Sequence, residues 1–196
     1  MTELECLYAE CESAFRQKWP DEKKPLVFGD GCNVCPPIML IGEAPGEQET
    51  LQGRPFVGKA GKNLDAFLQL MGMERSAMYV SNVVKIRPVE TGKTGRFRNR
   101  APSRDEITFF LPYLLSEIRI IQPKALVSLG NVPLKALLGD EATVGELHGT
   151  WQKTAEGVAL FALYHPAAVI YRRELSAVYE QDVIRLRDSL TIETSK

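Results

Sequence analysis

Residues 36–58 read PPIMLIGEAPGEQETLQGRPFVG, and this stretch decides the fold. Its apolar run, Ile38, Met39, Leu40 and Ile41, is too short and too tightly bounded for a helix. It breaks at Gly42 into a loop holding Glu43, Glu47, Glu49, two prolines and four glycines. That is the pattern of a buried strand emptying into a polar loop. In an open α/β sheet ligands bind beyond the carboxyl ends of the strands, so the loop lies where a site is expected.

Outward from this strand the chain alternates. Upstream, residues 2–18 carry Leu4, Leu7, Cys11, Ala14 and Phe15 on one helical face, and Pro20 ends the helix. A charged link follows, and residues 26–28 read as a short strand before the turn signal Gly29-Asp30-Gly31. Downstream, Leu64, Phe67, Leu68 and Met71 repeat at amphipathic-helix spacing, and residues 78–84 form a second strand. A strand-helix-strand unit of this length predicts parallel pairing. Residues 85–104 then hold seven basic side chains against a lone Glu90, with no apolar period: a long basic loop.

Ser103 and Glu106 form a capping-box pattern ahead of an apolar stripe from Ile107 to Ile121. Residues 125–129 are a third strand, opening at Gly130-Asn131 into a short helix. Residues 150–154 and 158–164 flank a turn, the second arm being a fourth strand that ends at His165-Pro166. A closing helix starts near residue 175. The alternation predicts a doubly wound α/β sheet covered by helices on both faces, in one domain over residues 1–196 with residues 1–25 as helix and link.

Composition narrows the function classes. A chain of 196 residues, 44% hydrophobic, buries one substantial core, and a formal net charge of -1 argues against indiscriminate coating of polyanions. No apolar run approaches the roughly 20 residues that cross a membrane, and the amino terminus lacks a signal-peptide pattern, so the expectation is a cytoplasmic monomer without membrane contact. Cys6, Cys11, Cys32 and Cys35 cluster early, and the last two have the spacing of a metal knuckle. A four-cysteine metal site is weighed against reduced cysteines in a helix and a loop, and the second reading is favoured.

The strand exits carry the chemistry. Gly53-Arg54-Pro55-Phe56-Val57-Gly58-Lys59 fits the spacing of a phosphate loop. Ala60, however, stands where a hydroxyl would hold magnesium, and Pro55 removes a backbone donor, so no nucleotide cofactor is expected. Asn82 interrupts an apolar strand, where an amide without a partner is costly. Phe56 sits in a loop, not a core pattern, and His165 ends the fourth strand.

GEAPGEQE, GRPFVGKAG, SNVVKIRP and LYHPA occur in this order over residues 26–190, and together they resemble the uracil-DNA glycosylase superfamily, most closely its family four, the iron-sulfur branch. The resemblance implies a three-layer αβα sandwich with a central four-stranded parallel sheet, and hydrolysis of the N-glycosidic bond of a uracil flipped out of DNA. The alternatives are another deaminated base on the same fold, or a nucleic-acid-binding relative that does not cleave. It implies Glu43 and His165 as catalytic groups, Phe56 as stacking wall, Asn82 as reader of the base edge, and Glu49 near uracil C5. Ala44 lies where other branches place an activating acid or amide. Lys85, Arg87, Arg96, Arg98, Arg100 and Arg172 are expected on phosphates, and Val169 either wedges into the duplex or packs on the closing helix. The cluster ligands of the family are not matched: the segment reads Lys85-Ile86-Arg87-Pro88, and the following helix has no cysteine. No cofactor is therefore expected.

Overall fold

A computed structural model describes residues 1–92, 95–171 and 174–193. At its centre β2 (Ile38–Gly42) pairs in parallel with β3 (Tyr79–Asn82) on one side and β6 (Ala125–Leu129) on the other, and β6 pairs in parallel with β8 (Ala159–Leu163). The four strands run as expected. The sheet nevertheless has six, because β1 (Asp30–Gly31) adds antiparallel to β3 and β7 (Trp151–Lys153) antiparallel to β8. Both extra strands are short and cap the edges of the parallel block, where open backbone groups would otherwise invite pairing with another chain.

The alternation of side chains along β2 divides the core. Met39 and Ile41 face one apolar cluster, which includes Phe15 of α1 (Glu3–Lys18), Phe110 and Leu114 of α4 (Arg104–Ile121), and Leu134 of α5 (Asn131–Leu138). Ile38 and Leu40 face the other, with Leu64 and Phe67 of α3 (Lys59–Met71) and Val183 and Leu186 of α8 (Glu174–Glu193). A strand buried on both faces is continuously apolar for this reason, and all five residues of β2 are buried. The layers are thus α, β, α.

Helix boundaries follow local chemistry. Thr2 and Ser103 cap α1 and α4 in capping boxes with Glu5 and Glu106. Gly72, at φ 63°, closes α3 in the left-handed region.

Two expectations need correction. Residues 26–28 join no strand; the Val27 amide donates to the carbonyl of Lys85, beyond the end of β3, at 2.7 Å. The basic segment is not structureless, since β4 (Val89–Thr91) and β5 (Phe97–Asn99) pair antiparallel within it. The apolar residues after His165, for which the sequence named no element, form a short helix, α7 (Pro166–Tyr171). Two short helices complete the frame, α2 (Glu47–Gln52) after β2 and α6 (Val144–Leu147) after α5.

Candidate active site

A cleft of about 600 Å³ opens at the carboxyl ends of β2, β3 and β8. Its walls bring together Ala44, Glu49, Phe56, Asn82 and His165, which are separated by up to 121 positions in sequence, and add Arg87 at the mouth. Glu43 does not line it; the side chain is half-buried beside the β2 exit, where desolvation raises its pKa. Ala44 presents only a methyl group.

Asn82 is 3% exposed and ends β3 opposite Gly42. Among the described residues its side-chain amide makes no hydrogen bond. The amide opens onto the cleft, so a ligand there can meet both its donor and its acceptor. Gly42 leaves room for this arrangement: a Cβ there would lie 2.4 Å from Asn82 Oδ1 and 2.6 Å from Phe56 Cζ.

Phe56 has φ 53°, a left-handed conformation that costs a bulky residue about 1–3 kcal/mol. Two anchors hold it there. Arg75, in the single turn of 3-10 helix at Arg75–Ala77, donates from Nη1 to the Phe56 carbonyl at 2.9 Å and from Nη2 to the Pro55 carbonyl at 2.6 Å. On the other side Glu49 accepts from the Val57 and Gly58 amides at 3.0 and 2.7 Å, while its second oxygen accepts from the Gly46 amide at 3.1 Å. Glu49 lines the cleft, but both its oxygens are engaged by the backbone, so it shapes the wall by holding the loop.

His165 follows β8, packed so closely against Gly130 that a Cβ there would lie 3.1 Å from its own Cβ; Gly130 also has φ 88°. The Ala167 amide donates to His165 Nδ1 at 3.1 Å. The neutral ring therefore carries its proton on Nε2, a donor available to a ligand in the cleft. Burial lowers its pKa and favours that neutral form. The other histidine, His148, is bound to Asp182 at 2.6 Å and does not line the cleft. Asn131, at the third strand exit, is spent on the Val144 amide at 2.8 Å.

The basic residues divide sharply. Lys85 does not reach solvent: it is 1% exposed, and its Nζ donates to Glu117 at 2.7 Å, to Ser81 Oγ at 2.6 Å and to the Asn82 carbonyl at 2.9 Å. A buried ammonium must be fully compensated, and this one is, so it is unavailable to phosphate. Arg100 is tied bidentately to Glu106 at 2.7 Å, fixing the start of α4. Arg87 bridges Asn99 at 2.8 Å and Glu47 at 3.1 Å across the cleft mouth. Arg96 and Arg98 are exposed, Arg98 with Glu90 at 2.8 Å. Val169 is half-buried and packs against the α3 and α8 core, the second of the two readings weighed for it. Arg172 lies outside the described residues.

The early cysteines do not converge. Cys11 is fully buried, its thiol pushed up to about 12 by desolvation, and it shares one apolar cluster with Phe15, Ile86 and Phe110. Cys6 and Cys35 are exposed, and the Cys32 thiol donates to the Val34 carbonyl at 3.5 Å. Among the described residues no three His, Cys, Asp or Glu side chains group as metal ligands. Among the described residues the four early cysteines do not gather as the ligand set of one cluster.

Arg75 and Asn99 were not singled out in the sequence. Asn99 sits inside a charged segment, and nothing local to Arg75 signals that it will meet a loop 19 positions upstream.

Residues 28–186 match the family model described as the uracil DNA glycosylase superfamily, and the chain belongs to that superfamily. Within it, the chain is similar to proteins named type-4 uracil-DNA glycosylase. One from Sulfurisphaera tokodaii is 38% identical over 77% of this chain and 69% of its own length. One from Pyrobaculum aerophilum is 37% identical over 82% and 81%, and one from Saccharolobus solfataricus 34% over 86% and 78%.

Proposed function

We propose that this protein is a uracil-DNA glycosylase, hydrolysing the N-glycosidic bond of a uracil flipped out of DNA. The observation that carries the reading is the unpartnered Asn82 amide on the wall of a cleft that also holds an aromatic ring and a neutral histidine. An amide offers one acceptor and one donor. Uracil N3-H and O4 are their complement, and cytosine presents the reversed pair.

Each residue then has a task. The base leaves the stack and lies against Phe56, whose loop is fixed from both sides. Asn82 reads its edge. As the glycosidic bond breaks, negative charge develops on O2, and the His165 Nε2-H, already oriented by the Ala167 amide, donates to it. A preorganised donor of this kind contributes about 10²-fold or more in rate. Glu43, next to cleft-lining Ala44 but set back from the cleft wall, is assigned the activation of the attacking water; burial raises its pKa. With a methyl group at Ala44, no second acid assists there.

DNA containing uracil is the partner, gripped by Arg87, Arg96 and Arg98, while Lys85 and Arg100 serve the fold. The enzyme works without an iron-sulfur cluster, the apolar packing of Cys11, Phe15, Ile86 and Phe110 joining α1 to α4 in its place.

The test is a panel of oligonucleotides carrying single uracil, hypoxanthine or thymine residues, scored for abasic sites. Cleavage after uracil alone is expected. Cleavage at hypoxanthine would reassign the base, and retained binding with no cleavage of any would leave a non-catalytic relative.

A further inference from the structure

We propose that the β4–β5 hairpin is a second nucleic-acid contact, in which the Phe97 ring stacks on an unpaired base beside the one held in the cleft. The inference rests on the glycosylase reading for its substrate and on the hairpin geometry for its position. Phe97 is 70% exposed and stands between Arg96 and Arg98 in sequence. The ring does not hold the hairpin together: its cross-strand partner is Thr91, also exposed, and the turn is closed by the Gly92 amide on the Arg96 carbonyl at 2.8 Å.

Side chains alternate along a strand, so Phe97 shares the face of Asn99 while Arg98 points the other way. Asn99 lines the cleft and accepts from Arg87 at 2.8 Å. The ring therefore stands two residues, roughly 7 Å, beyond the cleft mouth. An exposed aromatic beside the cleft, on a hairpin whose opposite face carries Arg98, offers a π-face to a base and a cation to the adjoining backbone, the combination that single-stranded nucleic acid recognises. In a duplex the neighbouring bases already stack on each other. The hairpin thus favours uracil in single-stranded or frayed DNA.

The test uses a single-uracil oligonucleotide with 2-aminopurine on either side of the uracil, as single strand and as duplex, titrated with the full chain. The fluorescence of one flanking probe in the single strand is expected to change on binding. Phe97→Ala should abolish that change and weaken single-strand Kd by roughly 5- to 100-fold, with a much smaller effect on duplex, and Phe97→Trp should restore both. Val34→Ala, an exposed apolar residue before the amino end of β2, is the control and should change neither. Wild-type affinity in Phe97→Ala, or equal losses on single strand and duplex, would overturn the proposal. Both readouts are of binding. Stacking without uracil release would sink the glycosylase reading alone, and normal release with an unaffected Phe97→Ala would sink the hairpin alone.

Discussion

The Arg75 guanidinium holds the carbonyl of Phe56 at 2.9 Å, and with it a bulky residue in a left-handed conformation. Gly61 makes the geometry feasible, since a Cβ there would lie 2.1 Å from that carbonyl oxygen. The ring is thus positioned by its own backbone, and the backbone by an arginine outside the cleft. Arg75→Met should release the loop and lower kcat/KM for uracil release by about 10- to 100-fold, the scale on which small misplacements act. In a Phe56→Ala background the same change should cost nothing further. Steady-state kinetics of the four variants checks this, and additive losses would mean that Arg75 acts elsewhere.

Lys85 and Glu117 form a buried ion pair whose carboxylate also accepts from Tyr8, Tyr79 and Ser81. Lys85→Met strands that carboxylate, and denaturant unfolding should show a loss of about 3–5 kcal/mol. Replacing both partners by apolar residues should recover much of it. Because Lys85 also holds the Asn82 carbonyl, the single variant should slow uracil release as well as destabilise.

The two catalytic candidates shift in opposite directions, which gives the pH dependence its sign. Burial keeps His165 below its ordinary value of about 6.5, so its contribution to stability is present above that pH and is lost as pH falls through the lower folded value. Burial lifts Glu43 above about 4.3, so its contribution is complete below that pH and is lost as pH rises through the higher folded value. For activity, the ionised Glu43 and neutral His165 should give an acid limb above the ordinary carboxylate range and no alkaline limb from the histidine. A pH-rate profile checks both, and Glu43→Gln should remove the carboxylate's share of the acid limb while leaving that of His165. A fall in rate above about pH 6.5 would show that His165 must be protonated.

Metal analysis of freshly purified protein should find iron and zinc below stoichiometric level. Cys11→Ser should lower the melting temperature by placing a hydroxyl among Phe15 and Phe110, with no change in metal content. Stoichiometric iron lost on that substitution would restore the cluster.

The sequence showed the sheet centre and the cleft because both are written locally. The apolar run of β2 has the length of a buried strand, Asn82 stands out as an amide among apolar neighbours, and His165 follows the last strand. What stayed hidden depends on pairing across distance. β1 is only two residues long, and its antiparallel bond to β3 has no periodicity to detect. Lys85 looked like one more basic loop residue because its partner lies 32 positions away in α4. Glu49 looked like a pocket acid, and its three amide partners emerged only when the loop closed around it.

The central claim is that the cleft reads uracil through Asn82. Its most direct test is single-turnover uracil release from a single-uracil oligonucleotide, measured for wild type and Asn82→Ala at saturating protein, with DNA affinity measured alongside. Wild type should release the base from every bound oligonucleotide, and Asn82→Ala should be slower by about 10²-fold or more with DNA affinity unchanged. No release by the wild type, or equal release by both, would contradict the account.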